Sequence, residues 1–246
     1  MVNVLLAGDL FVTPDVLAEA LERHLPGATT TRLQGTWPDD AMIEIGGVHE
    51  AVGDEDELIE ALKGVEVCFT HSHPITRKVI AASPDLKLIT VCRGGPVNAD
   101  KAAASDHGVA LSYTPGRNAT ATTEHSVGMI LSAARQIAQR HHELVSGEWR
   151  GDYYRYELVG PELHGATVGL VGYGAIGSRV AGILKAMGMR VRVYDPYLRE
   201  PLPDGYEHVA DLDDLLASAN VLTIHARQTD ENRGLIGARE IGLMPA

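Results

Sequence analysis

Residues 167–195 leave the chain little choice of fold. An apolar run, Thr167-Val168-Gly169-Leu170-Val171, leads into Gly172-Tyr173-Gly174-Ala175-Ile176-Gly177, and a second run ends at Asp195, 18 residues after the last glycine. The first run predicts a strand over 167–171, the spacing of Ile176, Val180, Leu184 and Met187 a helix over 176–187, and the second run a strand over 190–194. In this arrangement Gly172 permits the tight turn, Gly174 lets a pyrophosphate approach the backbone, and Gly177 lets the helix pack closely on the strand. The helix N-terminus then presents N–H groups and a positive dipole end to an anion without any basic side chain. Asp195 is placed to accept hydrogen bonds from an adenosine ribose, and its charge repels a 2′-phosphate, so NAD is expected rather than NADP. A lone glycine loop often only turns the chain; here strand, helix and acid all stand where a dinucleotide site needs them.

The same rhythm runs through the rest of the chain. The run at 2–7 ends at Gly8-Asp9, and Thr13-Pro14 offers a cap and first position for a helix carrying Val16, Leu17, Ala20 and Leu21. Further strands are expected at 65–69, 86–91 and 109–112, with helices from Thr76 and over 98–107, whereas the glycine-rich stretch 31–54 suggests loop and short strand. Beyond the break at Thr114-Pro115-Gly116-Arg117-Asn118, one helix is expected over about 122–146, from Val127, Ile130, Leu131, Ala134, Ile137, Ala138, Leu144 and Val145. The second set continues with a helix over 211–218, a strand over 220–225 and a helix from Ala238. Alternation of this kind builds parallel sheets in an α/β fold.

The chain has 246 residues, 45% of them hydrophobic, and a net charge of -12, with a pI near 5.3. That charge opposes nucleic acid and anionic membrane surfaces and favours a small-molecule partner. Without an apolar run long enough to span a bilayer and without a basic secretory start, the chain is expected to be cytoplasmic. Cys68 and Cys92 form no CxxC motif and are expected to be reduced thiols.

Four segments, LKLITVCRGG, TPGRNATATTEHSVGMILSAAR, GPELHGATVGLVGYGAIGSRVAGILKAMGMRVRVYDP and DLDDLLASANVLTIHARQTDENRGLIGAREIGLM, resemble the D-isomer-specific 2-hydroxyacid dehydrogenases, particularly their phosphoglycerate-dehydrogenase-like branch. The resemblance implies two Rossmann-like domains: a flavodoxin-like substrate domain, here residues 1–117, and an NAD-binding Rossmann domain, here 118–246. It implies hydride transfer between NAD and a 2-hydroxy or 2-keto acid, and a homodimer made through the cofactor domain. By analogy, the backbone of Ala175 and Ile176 meets the pyrophosphate, and His225-Ala226-Arg227 lies beside the cofactor. Backbone amides of the Arg93-Gly94-Gly95 turn would hold the substrate carboxylate. The family's catalytic arginine, glutamate and histidine fall beyond Ala246, so the catalytic residues are unassigned and a missing C-terminal part is expected. A second set of only three strands, half the six-stranded order, points the same way by leaving its first strand short of a neighbour. Some relatives of this fold are NAD(H)-responsive corepressors, and formate dehydrogenase shares the cofactor-domain arrangement; these are the alternatives to a hydroxyacid dehydrogenase.

Other tempting residues have plainer explanations. His71-Ser72-His73 lacks the further ligands of a metal site and suggests a polar loop at a strand end, bordering the substrate site. Glu124 and His125 are adjacent on a helix and point about 100° apart. Arg93 is either a substrate or phosphate anchor or one half of a salt bridge, Cys92 a small packed side chain, and Tyr153, Tyr154 and Tyr156 an interface cluster.

Overall fold

The structure, a computed structural model, describes residues 2–37, 44–229 and 231–245. The chain divides into two units, residues 1–117 and 118–246.

The first unit is built on a parallel sheet of β1 (Asn3–Gly8), β2 (Thr29–Gln34), β5 (Val67–Thr70), β6 (Leu88–Val91) and β7 (Ala110–Tyr113), in the order β2-β1-β5-β6-β7. Between them lie α1 (Pro14–His24), α2 (Glu55–Ala61), α3 (Arg77–Ala81) and α4 (Lys101–Asp106), while β3 (Glu44–Ile45) and β4 (Val48–His49) form a small antiparallel pair. Apart from Asn3, β1 is buried throughout, as a strand covered on both faces must be. Leu5, Leu58, Leu62, Ile75, Ile80 and Ile89 form the centre of one core, each stabilising the fold by about 1.5–3 kcal/mol. Thr13 caps α1 by accepting from Val16 N–H, with Pro14 at the first position; Asp54, Thr76 and Asp100 cap the other helices in the same way. The edge strand β2, TTTRLQ, runs into the start of the stretch 31–54, where loop and short strand were expected, and residues 38–43 of that stretch are outside the described residues.

The second unit carries α5 (Ala119–Ala134), α6 (Ile137–Val145), β8 (Thr167–Val171), α7 (Gly177–Ala186), β9 (Arg190–Tyr194), β10 (Tyr206–His208), α8 (Leu212–Leu216), β11 (Val221–Ile224) and α9 (Ala238–Gly242). Its parallel sheet has the order β10-β9-β8-β11. Two expectations are corrected here. The set has four strands, not three, and β8 is flanked by β9 and β11, so the central strand has both neighbours. The single helix expected over about 122–146 is two: it breaks at Gln136, whose backbone is left-handed at φ 53. The break has a packing cause. The segment around Gly160 crosses the end of α5 so closely that a Cβ there would stand 1.9 Å from the carbonyl oxygen of Ala134. Arg135 donates to the Gly160 carbonyl at 3.0 Å and Arg140 to that of Leu158 at 2.8 Å. Val127, Ile130, Leu131 and Ala134 of α5 pack with Val180 and Leu184 of α7 on β8 and β9.

Candidate functional site

In the second unit the glycine turn is shaped by backbone contact. Gly172 has φ 91, its N–H donates to the Tyr194 carbonyl at 2.9 Å, and a Cβ on it would lie 2.7 Å from the Ala226 nitrogen. A Cβ on Gly177 would lie 2.1 Å from the Gly172 carbonyl oxygen, so α7 sits directly on the turn. Around Gly174, by contrast, a Cβ would meet nothing within 4 Å. A turn closed on two sides and open at its middle glycine is the cradle a pyrophosphate requires. Ala175 accepts from Arg179 through its carbonyl, and Ile176 caps α7 with its half-buried side chain packed against the core.

Asp195 closes this side. Its Oδ2 accepts the Tyr173 N–H at 2.8 Å and its Oδ1 the Tyr197 N–H at 2.9 Å, which fixes the carboxylate beside the turn. Asp195, Gly172, Gly174, His225, Ala226 and Arg227 line one pocket of about 430 Å³, with Tyr197, Glu231 and Leu235 on its walls. His225 N–H donates to Val171 at 2.8 Å, its ring Nε2 is 2.9 Å from Thr223 Oγ1, and burial pushes the imidazole below its ordinary value. Every cofactor residue chosen from sequence is thus on this turn or in this pocket.

In the first unit, Arg93-Gly94-Gly95 follows β6 at the sheet's C-terminal edge, where open α/β sheets take ligands. Arg93 is ion-paired with Glu50 and donates to the Glu50 carbonyl at 2.9 Å, so its side chain is the salt bridge of the two sequence readings and not a poised anchor. Its carbonyl accepts from Thr114 N–H at 2.9 Å, and Gly95 accepts from Val97 N–H at 3.0 Å.

Beside this turn is a cluster that sequence reasoning did not assemble. Asp9, following β1, is fully buried and accepts four hydrogen bonds: from Phe11 and Val12 N–H at 2.8 Å each, and from Ser72 Oγ and His71 Nδ1 at 2.6 Å each. Burial alone would raise its pKa, but the hydrogen bonds outweigh it and lower the carboxyl below its ordinary value. The His71-Ser72-His73 segment is interior, not the open polar loop its composition suggests. Asn98 braces it by donating to the carbonyls of His71 and His73 at 3.3 and 2.9 Å. His71 stacks with Trp37 at 6.2 Å, and Arg117 Nη2 lies 3.3 Å from its Nε2. The available signals were an acid just after the first strand and a histidine just after a neighbouring strand. Among the described residues no group of three or more His, Cys, Asp or Glu is arranged to hold a metal ion.

Comparison with known proteins adds to this geometry. A family model described as the NAD binding domain of D-isomer specific 2-hydroxyacid dehydrogenase matches residues 127–246. A glyoxylate reductase of Aeropyrum pernix is 32% identical over 240 residues, covering 96% of this chain and 68% of the relative. A D-3-phosphoglycerate dehydrogenase of Methanocaldococcus jannaschii is 36% identical over 205 residues, 82% of this chain and 38% of the relative. Among solved structures, an Aquifex aeolicus D-lactate dehydrogenase complexed with NAD and lactic acid matches with a TM-score of 0.75 at 25% identity, over 98% of this chain and 66% of that one. The chain spans from about a third to a little over half of the length of the first curated relatives it matches.

Proposed function

The chain belongs to the D-isomer-specific 2-hydroxyacid dehydrogenases, and from that membership we propose that its whole protein moves hydride between C2 of a 2-hydroxy or 2-keto acid and the nicotinamide of NAD. In this reading residues 1–117 take the substrate and 118–246 the cofactor. The observation that carries it is the Asp195 carboxylate, held by two backbone N–H groups beside the Gly172–Gly177 turn.

NAD supplies the hydride acceptor or donor when bound. The chain's own part is positioning. Gly172, Gly174 and Gly177 leave room for the pyrophosphate, the backbone of Ala175 and Ile176 at the start of α7 meets it, and Asp195 accepts from the ribose hydroxyls. His225, Ala226 and Arg227 form the facing wall of the pocket. Gly94 and Gly95 offer backbone N–H groups to the substrate carboxylate, while Arg93 holds the turn through Glu50. The acid–base step is not assigned to any residue of this chain.

A homodimer through the second unit accords with its exposed apolar residues: Ile137, Leu144, Val145, Trp149, Tyr154 and Tyr156 are each more than half exposed, an unusual density for a monomer surface. A cytoplasmic location accords with the acidic composition and reduced thiols. No described helix is long and apolar enough to cross a membrane.

Calorimetric titration of the chain with NADH and NADPH tests the cofactor reading. NADH is expected to bind more tightly, and Asp195→Asn to narrow the ratio about ten-fold, equivalent to about 1.4 kcal/mol. A ratio unmoved by the substitution contradicts the role given to Asp195. Oxidation of NADH by the complete gene product with a panel of 2-keto acids tests the reaction.

A further inference from the structure

At the ends of β8 and β9 away from the Gly172 turn, the sheet of the second unit carries polar side chains on a face that is apolar farther along. Val191 and Val193 of β9 are buried in the core shared with α7, so Arg190 and Arg192 lie on the opposite face, about 6.6 Å apart. The parallel register sets Thr167 of β8 beside Arg190 and Glu207 of β10 beside Arg192. The length of α8 is the physical cause. Its five residues pack on Tyr194 farther along this face and end there, and a Cβ on Gly169 would stand 2.8 Å from the Ala219 methyl group. What stays uncovered is a cavity of about 640 Å³, lined in part by Thr167, Arg190, Arg192, Glu207, Ser218 and Asn220.

Donors outnumber acceptors in this cavity. Arg192 is spent on the protein: it donates to the Asp214 carbonyl at 2.8 Å, to Glu207 Oε1 at 2.6 Å and to Ser218 Oγ, and its buried Nε has no partner. Arg190 is exposed and, among the described residues, makes no ion pair. Its Nε donates to Thr167 Oγ1 at 3.2 Å, which leaves the two terminal nitrogens of the guanidinium for another partner. Asn220 accepts the Thr167 N–H at 2.9 Å through Oδ1, so its amide nitrogen, which can only donate, is likewise left over. Thr167 is buried and braces both residues, one through its hydroxyl and one through its backbone. Two guanidinium groups here face the one carboxylate of Glu207, in a chain with 33 acidic and 21 basic residues. A surplus of donors and of positive charge is met by a ligand that only accepts and is negative.

We propose that this cavity binds the carboxylate or phosphate group of a small metabolite other than the cofactor and the hydroxy acid. The terminal nitrogens of Arg190 form a planar fork that takes two oxygens of such a group at once, Asn220 adds a third hydrogen bond, and Arg192 contributes charge from behind. The volume of about 640 Å³ is that of a small-molecule site and holds more than a bare ion. From Thr167 to Val171 and from Arg190 to Tyr194 each strand runs five residues, about 16 Å, before reaching the Gly172 turn and Asp195. The anion and NADH therefore occupy opposite ends of the same two strands and do not compete.

The test titrates the isotopically labelled 246-residue chain with inorganic phosphate and with malonate, each against sodium chloride at equal ionic strength, with and without saturating NADH. Amide resonances report the binding. The side-chain amide of Asn220 and the backbone amides of Ala217–Ala219 should shift saturably, at a midpoint that NADH leaves unchanged. The tighter probe identifies phosphate or carboxylate as the group bound. Arg190→Gln should weaken binding about ten-fold or more, and Arg190→Lys, which keeps the charge without the fork, should lose less. Asn220→Asp keeps the acceptor for Thr167 N–H but sets a carboxylate in place of the donor, and should abolish binding. Glu207→Gln should tighten it by removing the opposing charge. Three results overturn the proposal: no saturable shift with either probe, shifts confined to the first unit or to the Gly174–Gly177 turn, or shifts at Asn220 that survive Arg190→Gln. NADH binding to the same sample, read by calorimetry, keeps the outcomes separate: NADH bound without an anion at Arg190 removes this site and leaves the dehydrogenase reading intact.

Discussion

Gly177 shows how a single hydrogen atom in place of a methyl group holds a site together. A Cβ there would overlap the Gly172 carbonyl, and neither the turn nor the first turn of α7 can yield without moving the other. Gly177→Ala should cost about 1–3 kcal/mol, the usual range for overpacking, and weaken NADH binding more than ten-fold. A denaturant midpoint and a calorimetric titration check both; a variant with unchanged affinity would mean that the helix does not need to approach the turn this closely. Asp195 and Asp9 illustrate two uses of a carboxylate. Asp195 receives backbone N–H groups while remaining on a pocket wall, which suits a ligand contact. Asp9 is buried and takes its four hydrogen bonds inside the protein, which holds His71 and Ser72 in place.

At the scale of elements, the helix break at Gln136 and the strands β2 and β10 share one lesson: each depends on a partner remote in sequence. Nothing between Ala134 and Ile137 signals a stop, since no glycine or proline intervenes and the residues are good helix formers. The stop comes from the segment near Gly160 and from Arg135 and Arg140 reaching its carbonyls. Left-handed backbone at a residue other than glycine costs about 1 kcal/mol. Gln136→Gly should therefore leave stability unchanged or raise it by up to about 1 kcal/mol, less the hydrogen bond that Gln136 accepts from Arg140. Gln136→Val should lower it. Urea midpoints of the two variants decide; a strongly destabilised glycine variant would show that the kink is held by the side chain. β10 was not expected, and β2 was not located within the stretch read as loop and short strand, because a polar edge strand lacks the apolar run by which buried strands such as β1 and β8 declare themselves.

For the whole molecule, two buried histidines and one half-buried one bear on the acid side of stability. His71, His73 and His225 all have imidazoles held below the ordinary value near 6.5, in each case chiefly by burial. Their folded-state pKa values lie below those of the unfolded chain, so on acidification the unfolded chain binds protons first. The stability they confer is present in full above about pH 6.5 and is lost as pH falls through the folded values. Asp9, lowered from 3.8, adds a further loss below that pH. The thermal midpoint at 0.15 M salt should rise from pH 5 to pH 7, and His225→Gln should flatten part of that rise. A level midpoint over this range would mean that the rings protonate without unfolding cost. The salt limits the opposing gain from a net charge of -12 approaching zero near the pI of 5.3.

The sequence by itself determined the α/β alternation, the helix cap at Thr13, the helix start near Thr76, and the glycine turn from Gly172 to Gly177 with Asp195 at the end of the following strand. All depend on period, on local backbone freedom or on residues following consecutive strands, and such signals survive in one dimension. Only the tertiary structure decided that Arg93 is spent on Glu50, that β8 has neighbours on both sides, and that the helix breaks at Gln136. It also brought together Asp9, His71 and Arg117, 62 and 46 residues apart along the chain. Hydrogen bonds and ion pairs of this kind depend on which strand ends lie side by side, and strand order is set by packing the whole sheet, not by any segment of it.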